Sequence, residues 1–264
     1  MINSFVNIKT KGNIQLNQIN QLKNLCSILN ELKINYWINS GTLLHLYRDN
    51  ILTNKIKDDI DLGTYVTEKD KIIKDVIPLI TENYIPKYYY FKKGYFLFEV
   101  DKYFKGYILY KIKLFPRDTD LYVIDIDFFT AYKQYYLCPI MIKPFINGIN
   151  NKYHFDKSTL RWLIIKALNL NIKIINYFLP LLLILLNLNK YFLKYYCFKI
   201  PNSFLDTLIP VHIDDQITYF PNNYEEFLRK KYDDFSIMKK DWNFIKNDGT
   251  VCIINYNEMS SFLE

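Results

Sequence analysis

Between Leu16 and Lys33 the apolar residues recur in steps of three and four: Leu16, Ile19, Leu22, Leu25, Cys26, Leu29 and Leu32. That spacing lines one face of a helix and predicts an amphipathic helix over 16–33. Tyr36-Trp37-Ile38-Asn39 then predicts a short strand, Ser40-Gly41 a turn, and Thr42–Tyr47 the start of a second helix. From Asp59 to Val66 the period changes to two. Asp59 and Asp61 share one side and Ile60 and Leu62 the other, as in a strand. Glu68–Thr81 reads as helix. From Tyr84 to Phe129 the pattern is β, in the runs YYYFKKGYFLFEV, GYILYKIKLF and LYVIDIDFF. Turns are expected at Lys93-Gly94, Lys105-Gly106 and Pro116–Asp120. In the last of these runs Asp125 and Asp127 again share one strand face.

After Phe129 the pattern turns helical. YHFDKSTLRWLIIKALN predicts a helix capped by Asp156 or Ser158. FPNNYEEFLRKKYDDF predicts another from Asn222 or Asn223, with Glu225 and Glu226 in its first turn and basic residues later, an order that suits the helix dipole. The elements together predict an α+β fold in one domain, 1–264. A sheet-bearing part covers about 16–130 and a mainly helical part about 150–264, with no repeat and no flexible linker.

Composition narrows the partners. Half of the 264 residues are hydrophobic and 17% aromatic, enough for a sizeable core and too apolar for long disorder. The net charge is +7, but the lysines are scattered; the densest run is Arg229–Tyr232. That distribution describes a solvated surface and no nucleic-acid partner is expected. Four cysteines and three histidines are dispersed without a C-x-x-C pair, which excludes a zinc site built from neighbouring residues and fits a reducing compartment. The N-terminal residues lack a signal-peptide core. In Ile174–Tyr196 the uninterrupted apolar core, Tyr177–Leu186, contains Pro180 and is too short for a spanning helix of about 20 residues. It predicts a buried hairpin or contact with a membrane surface, hence a cytoplasmic or membrane-associated protein.

Three pieces can carry chemistry. The Ser40-Gly41-Thr42 turn opens a helix, whose N-terminus favours an anion such as phosphate. Asp59 with Asp61, and Asp125 with Asp127, each place two carboxylates on one strand face. Hard carboxylate oxygens suit Mg²⁺, and such ions serve phosphoryl transfer. A further carboxylate can take the proton of an attacking hydroxyl. If the two strands are neighbours, all of these meet.

The stretch YWINSGTLLHLYRDNILTNKIKDDIDLG, Tyr36–Gly63, resembles the LicD and fukutin family. Its pattern is an aromatic-led strand, Gly-Thr-Leu-Leu, an Arg six residues after the Thr, then Asp-Asp-x-Asp. The similarity continues at YVIDIDFF and at FPNNYEEFLRKKYDDF, so that it reaches from Tyr36 to about Trp242. The resemblance implies a nucleotidyltransferase-like mixed β-sheet flanked by helices. It implies transfer of a phospho-alcohol, such as phosphocholine or ribitol phosphate, from a CDP-linked donor to a glycan hydroxyl, with Mg²⁺ or Mn²⁺ as cofactor. On the matching positions, Gly41 and Thr42, in the turn with Ser40, would hold donor phosphate. Arg48 would pair with a phosphate or fix the acid loop. Asp59, Asp61 and Asp127 would hold metal, with Asp127, ahead of Asp125, as the third acid and candidate base. His45 and Asp233 stand where the family has Gly, and Asp58 is expected on the opposite strand face. Two rival readings are a glycosyltransferase using a nucleotide-sugar through its Asp-x-Asp, and a glycan- or nucleotide-binding module without catalysis.

Overall fold

A computed structural model describes residues 7–8, 16–48, 59–92, 95–104, 107–117, 122–140, 195–237, 242–254, 258, 259 and 261. Asp58, the turns at Lys93-Gly94 and Lys105-Gly106, most of Pro116–Asp120, the helix expected from Asp156 or Ser158 and most of Ile174–Tyr196 lie outside these residues. The chain divides into two compact units, Met1–Cys138 with Phe198–Cys252, and Pro139–Cys197 with Ile253–Glu264. The site described below belongs wholly to the first.

The fold is mixed α+β. Helix α1 (Leu16–Glu31) is followed by strand β2 (Tyr36–Ile38), helix α2 (Ser40–Arg48) and strand β3 (Ile60–Tyr65); a short strand β1 (Asn7–Ile8) precedes them. Then come β4 (Tyr84–Lys92), β5 (Tyr95–Val100), β6 (Ile108–Pro116), β7 (Ile124–Tyr132) and β8 (Tyr135–Ile140). After residue 194 stand β9 (Tyr195–Pro201), β10 (Leu208–Ile213), β11 (Gln216–Pro221), a helix at Tyr224–Tyr232 and β12 (Val251–Ile254). Among the described residues nine strands form one sheet, ordered β12-β9-β8-β7-β6-β4-β5, with β3 beside β7 and β2 beside β3. The sheet is largely antiparallel, but β3 and β7 run parallel. A smaller sheet has the order β1-β10-β11.

The two-residue period sets the faces. Ile60, Leu62, Ile112, Leu114, Ile124 and Ile126 are each at most 2% exposed and form the core side of three adjacent strands. The predicted stripe of α1 is buried through Ile19, Leu22, Leu25, Cys26 and Leu29. Its polar edge is tied down as well. Gln21 Nε2 donates to Tyr122 O at 2.6 Å, and Gln21 Oε1 accepts from Tyr122 N at 2.9 Å. Asn30 Nδ2 donates to Ile217 O at 2.7 Å.

The expected helix over Glu68–Thr81 is irregular. A 3₁₀ turn, Val66–Glu68, leads through Lys69–Lys71 into a π-helical turn, Ile72–Val76, before Ile77–Ile80. Pro78 has no N–H to give to the carbonyl four residues earlier, so the ladder widens just before it.

The mainly helical reading of 150–264 needs correction where the residues are described. Helix is present at Tyr224–Tyr232, starting one residue after Asn223, but four strands stand between 195 and 254. The β-branched residues Ile209, Val211, Ile213, Ile217 and Thr218 favour strand. Asp214, at φ 53°, closes the β10–β11 hairpin.

One close approach fixes β2 against β3. Trp37 pairs with Gly63, and a Cβ on Gly63 would lie 2.3–2.5 Å from the indole ring. Trp37 is fully buried and wedged between Tyr65 and Phe129, with ring centroids 5.2 Å away on each side. Gly63→Ala is therefore expected to destabilise by about 2–3 kcal/mol through overpacking. Urea denaturation measures this, and a loss below about 0.5 kcal/mol would mean that the indole can yield.

Candidate active site

The site is built where β2 hands over to α2 beside the start of β3. Asn39 N donates to Asp61 O at 3.0 Å, prolonging the β2–β3 ladder by one step, and Leu43 N donates to Asn39 O at 3.1 Å to open the helix. Between them Ser40 takes φ 46°, a left-handed conformation uncommon for a residue with a Cβ. This bend swings the next two residues onto the acid strand. Gly41 N donates to Asp61 Oδ2 at 3.1 Å. The Thr42 hydroxyl accepts from Asp61 N at 2.8 Å and donates to Asp59 O at 3.4 Å. Thr42 is buried and thus pins the start of β3.

The parallel register of β3 and β7 places Asp61 opposite Asp125 and Gly63 opposite Asp127. Of the two later acids, Asp125 is the one level with Asp61. On the other side of β7, β6 pairs Lys113 with Asp125 and Lys111 with Asp127. Both lysines belong to the same strand-face pattern as the acids and reach into them. Lys111 Nζ lies 2.7 Å from Asp125 Oδ2 and 3.2 Å from Asp127 Oδ1. Lys113 Nζ lies 2.6 Å from Asp59 Oδ2 and 3.3 Å from Asp125 Oδ1. Asp125 and Asp127 are 6% and 4% exposed, whereas the Asp59 side chain is 36% exposed. Asp125 Oδ1 is buried and makes no aligned hydrogen bond despite its proximity to Lys113.

Burial pushes the Asp61 carboxyl up to about 7, and the neighbouring charge of Asp125 adds to this; Lys111 opposes it, while Asp127 and Asp59 add smaller repulsions. Burial raises Asp127 in the same direction against the pull of Lys111. Burial alone would lower Lys111, but Asp127 and Asp125 outweigh it, and its ammonium is held well above the usual lysine range. Lys113 is likewise raised, its burial outweighed by Asp125 and Asp59.

Lys111 and Lys113 are members of the cluster that the sequence does not single out. The run KIKLF alternates as IDID does, but among so many scattered lysines it resembles solvated surface. Arg48 stands elsewhere. It ends α2, roughly 12 Å along the helix from Ser40 at 1.5 Å per residue. Its guanidinium lies 3.5 Å from Phe235 O and 3.4 Å from His45 Nδ1. That end of α2 docks on the Tyr224–Tyr232 helix, with Tyr47 donating to Glu225 and stacking edge-on with Tyr224. In the same helix Lys231, 2% exposed, pairs with buried Asp248 at 2.6 Å.

With the side chains so placed, no three acids or other ligating side chains among the described residues close on one point. Lys113 lies between Asp59 and Asp125, and Lys111 between Asp125 and Asp127. All four cysteines are free thiols. Among the described residues no helix is long and apolar enough to cross a membrane. No known family model matches the chain, and no curated protein matches it.

Proposed function

We propose that the chain is a metal-dependent transferase of the LicD/fukutin type, with a nucleotidyltransferase-like sheet. In this reading it moves a phosphocholine- or ribitol-phosphate-like group from a CDP-linked donor to a glycan hydroxyl. The observation that carries the reading is the meeting of Asp61 and Asp125 on neighbouring parallel strands, with the N-terminus of α2 bonded to the same cluster.

The donor set fits a divalent cation in kind. Carboxylate oxygens are the ligands Mg²⁺ prefers. Four carboxylates against two ammonium groups leave a formal charge of −2 when all are ionised. Asp125 Oδ1 is buried without a hydrogen bond. Asp59 and Asp61 would hold the ion, which when bound neutralises charge on the donor phosphate. The positive end of α2 favours phosphate at the same place. The acceptor oxygen attacks the distal phosphorus in line, the bond from that phosphorus to the CMP oxygen breaks, and CMP leaves with the electron pair. The hydroxyl proton passes to Asp125 Oδ1, which has no hydrogen bond to give up. Asp127, bound to Lys111 and almost wholly buried, holds that lysine in position.

Thermal unfolding against CMP, CTP, CDP-choline, CDP-ribitol, UDP-sugars and ATP, each with and without Mg²⁺ or Mn²⁺, tests this. A ligand at a hundred times its dissociation constant stabilises by about 2.7 kcal/mol. Metal-dependent stabilisation by cytidine nucleotides is expected, and its loss in the Asp59→Asn, Asp61→Asn double variant. A preference for UDP-sugars would replace this reading with the glycosyltransferase one. Folded protein that answers no nucleotide would leave the non-catalytic binding module.

A further inference from the structure

Two lysines enter the acid cluster, and they are held differently. Lys111 bridges Asp125 and Asp127, both more than nine-tenths buried, through contacts of 2.7 and 3.2 Å. Its removal would strand two enclosed charges, so it is a fixed part of the site. Lys113 has one short contact, 2.6 Å to Asp59, whose side chain is 36% exposed. Its second, 3.3 Å to Asp125 Oδ1, lacks hydrogen-bond alignment. An ammonium group on a flexible four-carbon stem, paired with a solvent-reachable carboxylate, is readily exchanged. Asp59 is also far more exposed than Asp125 and Asp127.

Resting on the transferase reading above, we propose that Lys113 is a resident counter-cation that holds the divalent ion's place beside Asp59 and is exchanged for it. Its withdrawal frees Asp59 for the metal and at the same time removes the ammonium that stands 3.3 Å from Asp125 Oδ1. The displaced ammonium remains within reach of the cluster and pairs with the incoming donor phosphate. Lys113 is thus a positioning residue in the unliganded state and a phosphate-binding residue in the liganded one. It offsets part of the cluster's negative charge until ion and donor are both present.

The test uses Mn²⁺ alone, with free ion followed by electron paramagnetic resonance in a titration of the full chain. Lys113→Met removes the competitor and is expected to tighten Mn²⁺ binding at least fivefold, while Lys113→Arg stays within twofold of the native protein. Adding Asp59→Asn to Lys113→Met should abolish the gain. Should Lys113→Met not fold, Lys113→Gln, neutral and able to bond Asp59, carries the same expectation. Unchanged or weaker Mn²⁺ binding in the folded neutral variant overturns the proposal, as does absence of Mn²⁺ binding in every form. Because no nucleotide enters the titration, the two readings fail separately. Tightening by Lys113→Met without any nucleotide response would keep the exchange and remove the CDP-alcohol donor.

Discussion

Lys111→Met is expected to lower folding stability by about 3–5 kcal/mol at pH 7.5, the usual loss when one partner of a buried ion pair is removed. Since whole domains have only about 5–15 kcal/mol to lose, much of the population would unfold in mild urea. The cause is specific. Lys111 is the counter-charge shared by Asp125 and Asp127, and Asp61 stands beside them across the parallel pair. Methionine matches the stem but leaves three neighbouring carboxylates. The carboxyls of Asp61 and Asp127, already raised by burial, then rise further above their unfolded values. Stability linked to such groups is complete below the unfolded carboxylate range and is lost as pH rises through the folded value. The deficit should accordingly shrink at pH 5. Urea midpoints at pH 5 and 7.5 decide the matter. A loss under about 1 kcal/mol at pH 7.5 would mean that water, not Lys111, neutralises the acids.

Asp61→Asn should act in the opposite sense on stability and still destroy function. The native carboxyl is held at about 7, against 3.8 for an unperturbed Asp. It therefore favours the folded state fully below about 4 and loses that contribution as pH rises to 7 and beyond. At about 1.4 kcal/mol per pH unit this window spans roughly 4 kcal/mol. Partial exposure of the side chain reduces the expected gain of the metal-free variant to about 2 kcal/mol at pH 8. Asn can still accept from Gly41 N, so the turn survives. The advantage should grow between pH 4 and 7 and level off above. With Mn²⁺ and a cytidine nucleotide present the order should reverse, and transfer activity should fall by a factor of at least ~10³, on the order of 4 kcal/mol in the barrier. Denaturation curves across pH, with and without ligand, supply both readouts. A variant less stable than the native protein at pH 8 without metal would show that burial and the neighbouring acids do not raise Asp61.

Much of this arrangement is legible in the chain. The period of two in DIDLG and IDID places four acids on strand faces opposite Ile60, Leu62, Ile124 and Ile126, and the structure keeps that division. The three-to-four spacing of α1 is equally plain. The partner of each strand is not legible, because alternation specifies a face and leaves the neighbour open. Only the β3–β7 register shows that Asp125, level with Asp61, differs in place from Asp127. The lysines escaped for a related reason. In a chain with 34 Lys and Arg residues, a Lys-x-Lys on a strand looks like solvated surface until β6 is seen to pair with β7. In the C-terminal part the ambiguity is local. Tyr- and Ile-rich segments fit either a buried helix or a strand, and hairpin chemistry at Asp214 outweighed helical expectation.

The order of the charged strands along the chain has a consequence for how the cluster comes together during folding. Lys113 and Asp125 are joined by a short connection, as are Lys111 and Asp127, whereas β4, β5 and β6 lie between Asp61 and Asp125 in the chain. Shorter loops close at lower entropic cost and form earlier. The β6–β7 pairing can thus neutralise the second pair of acids before the first pair is docked beside it. A chain leaving the ribosome emits Asp59 and Asp61, then both lysines, then Asp125 and Asp127. Docked in that order, the first acid pair would meet the second across ammonium groups already in place, which lowers the cost of the like-charge encounter.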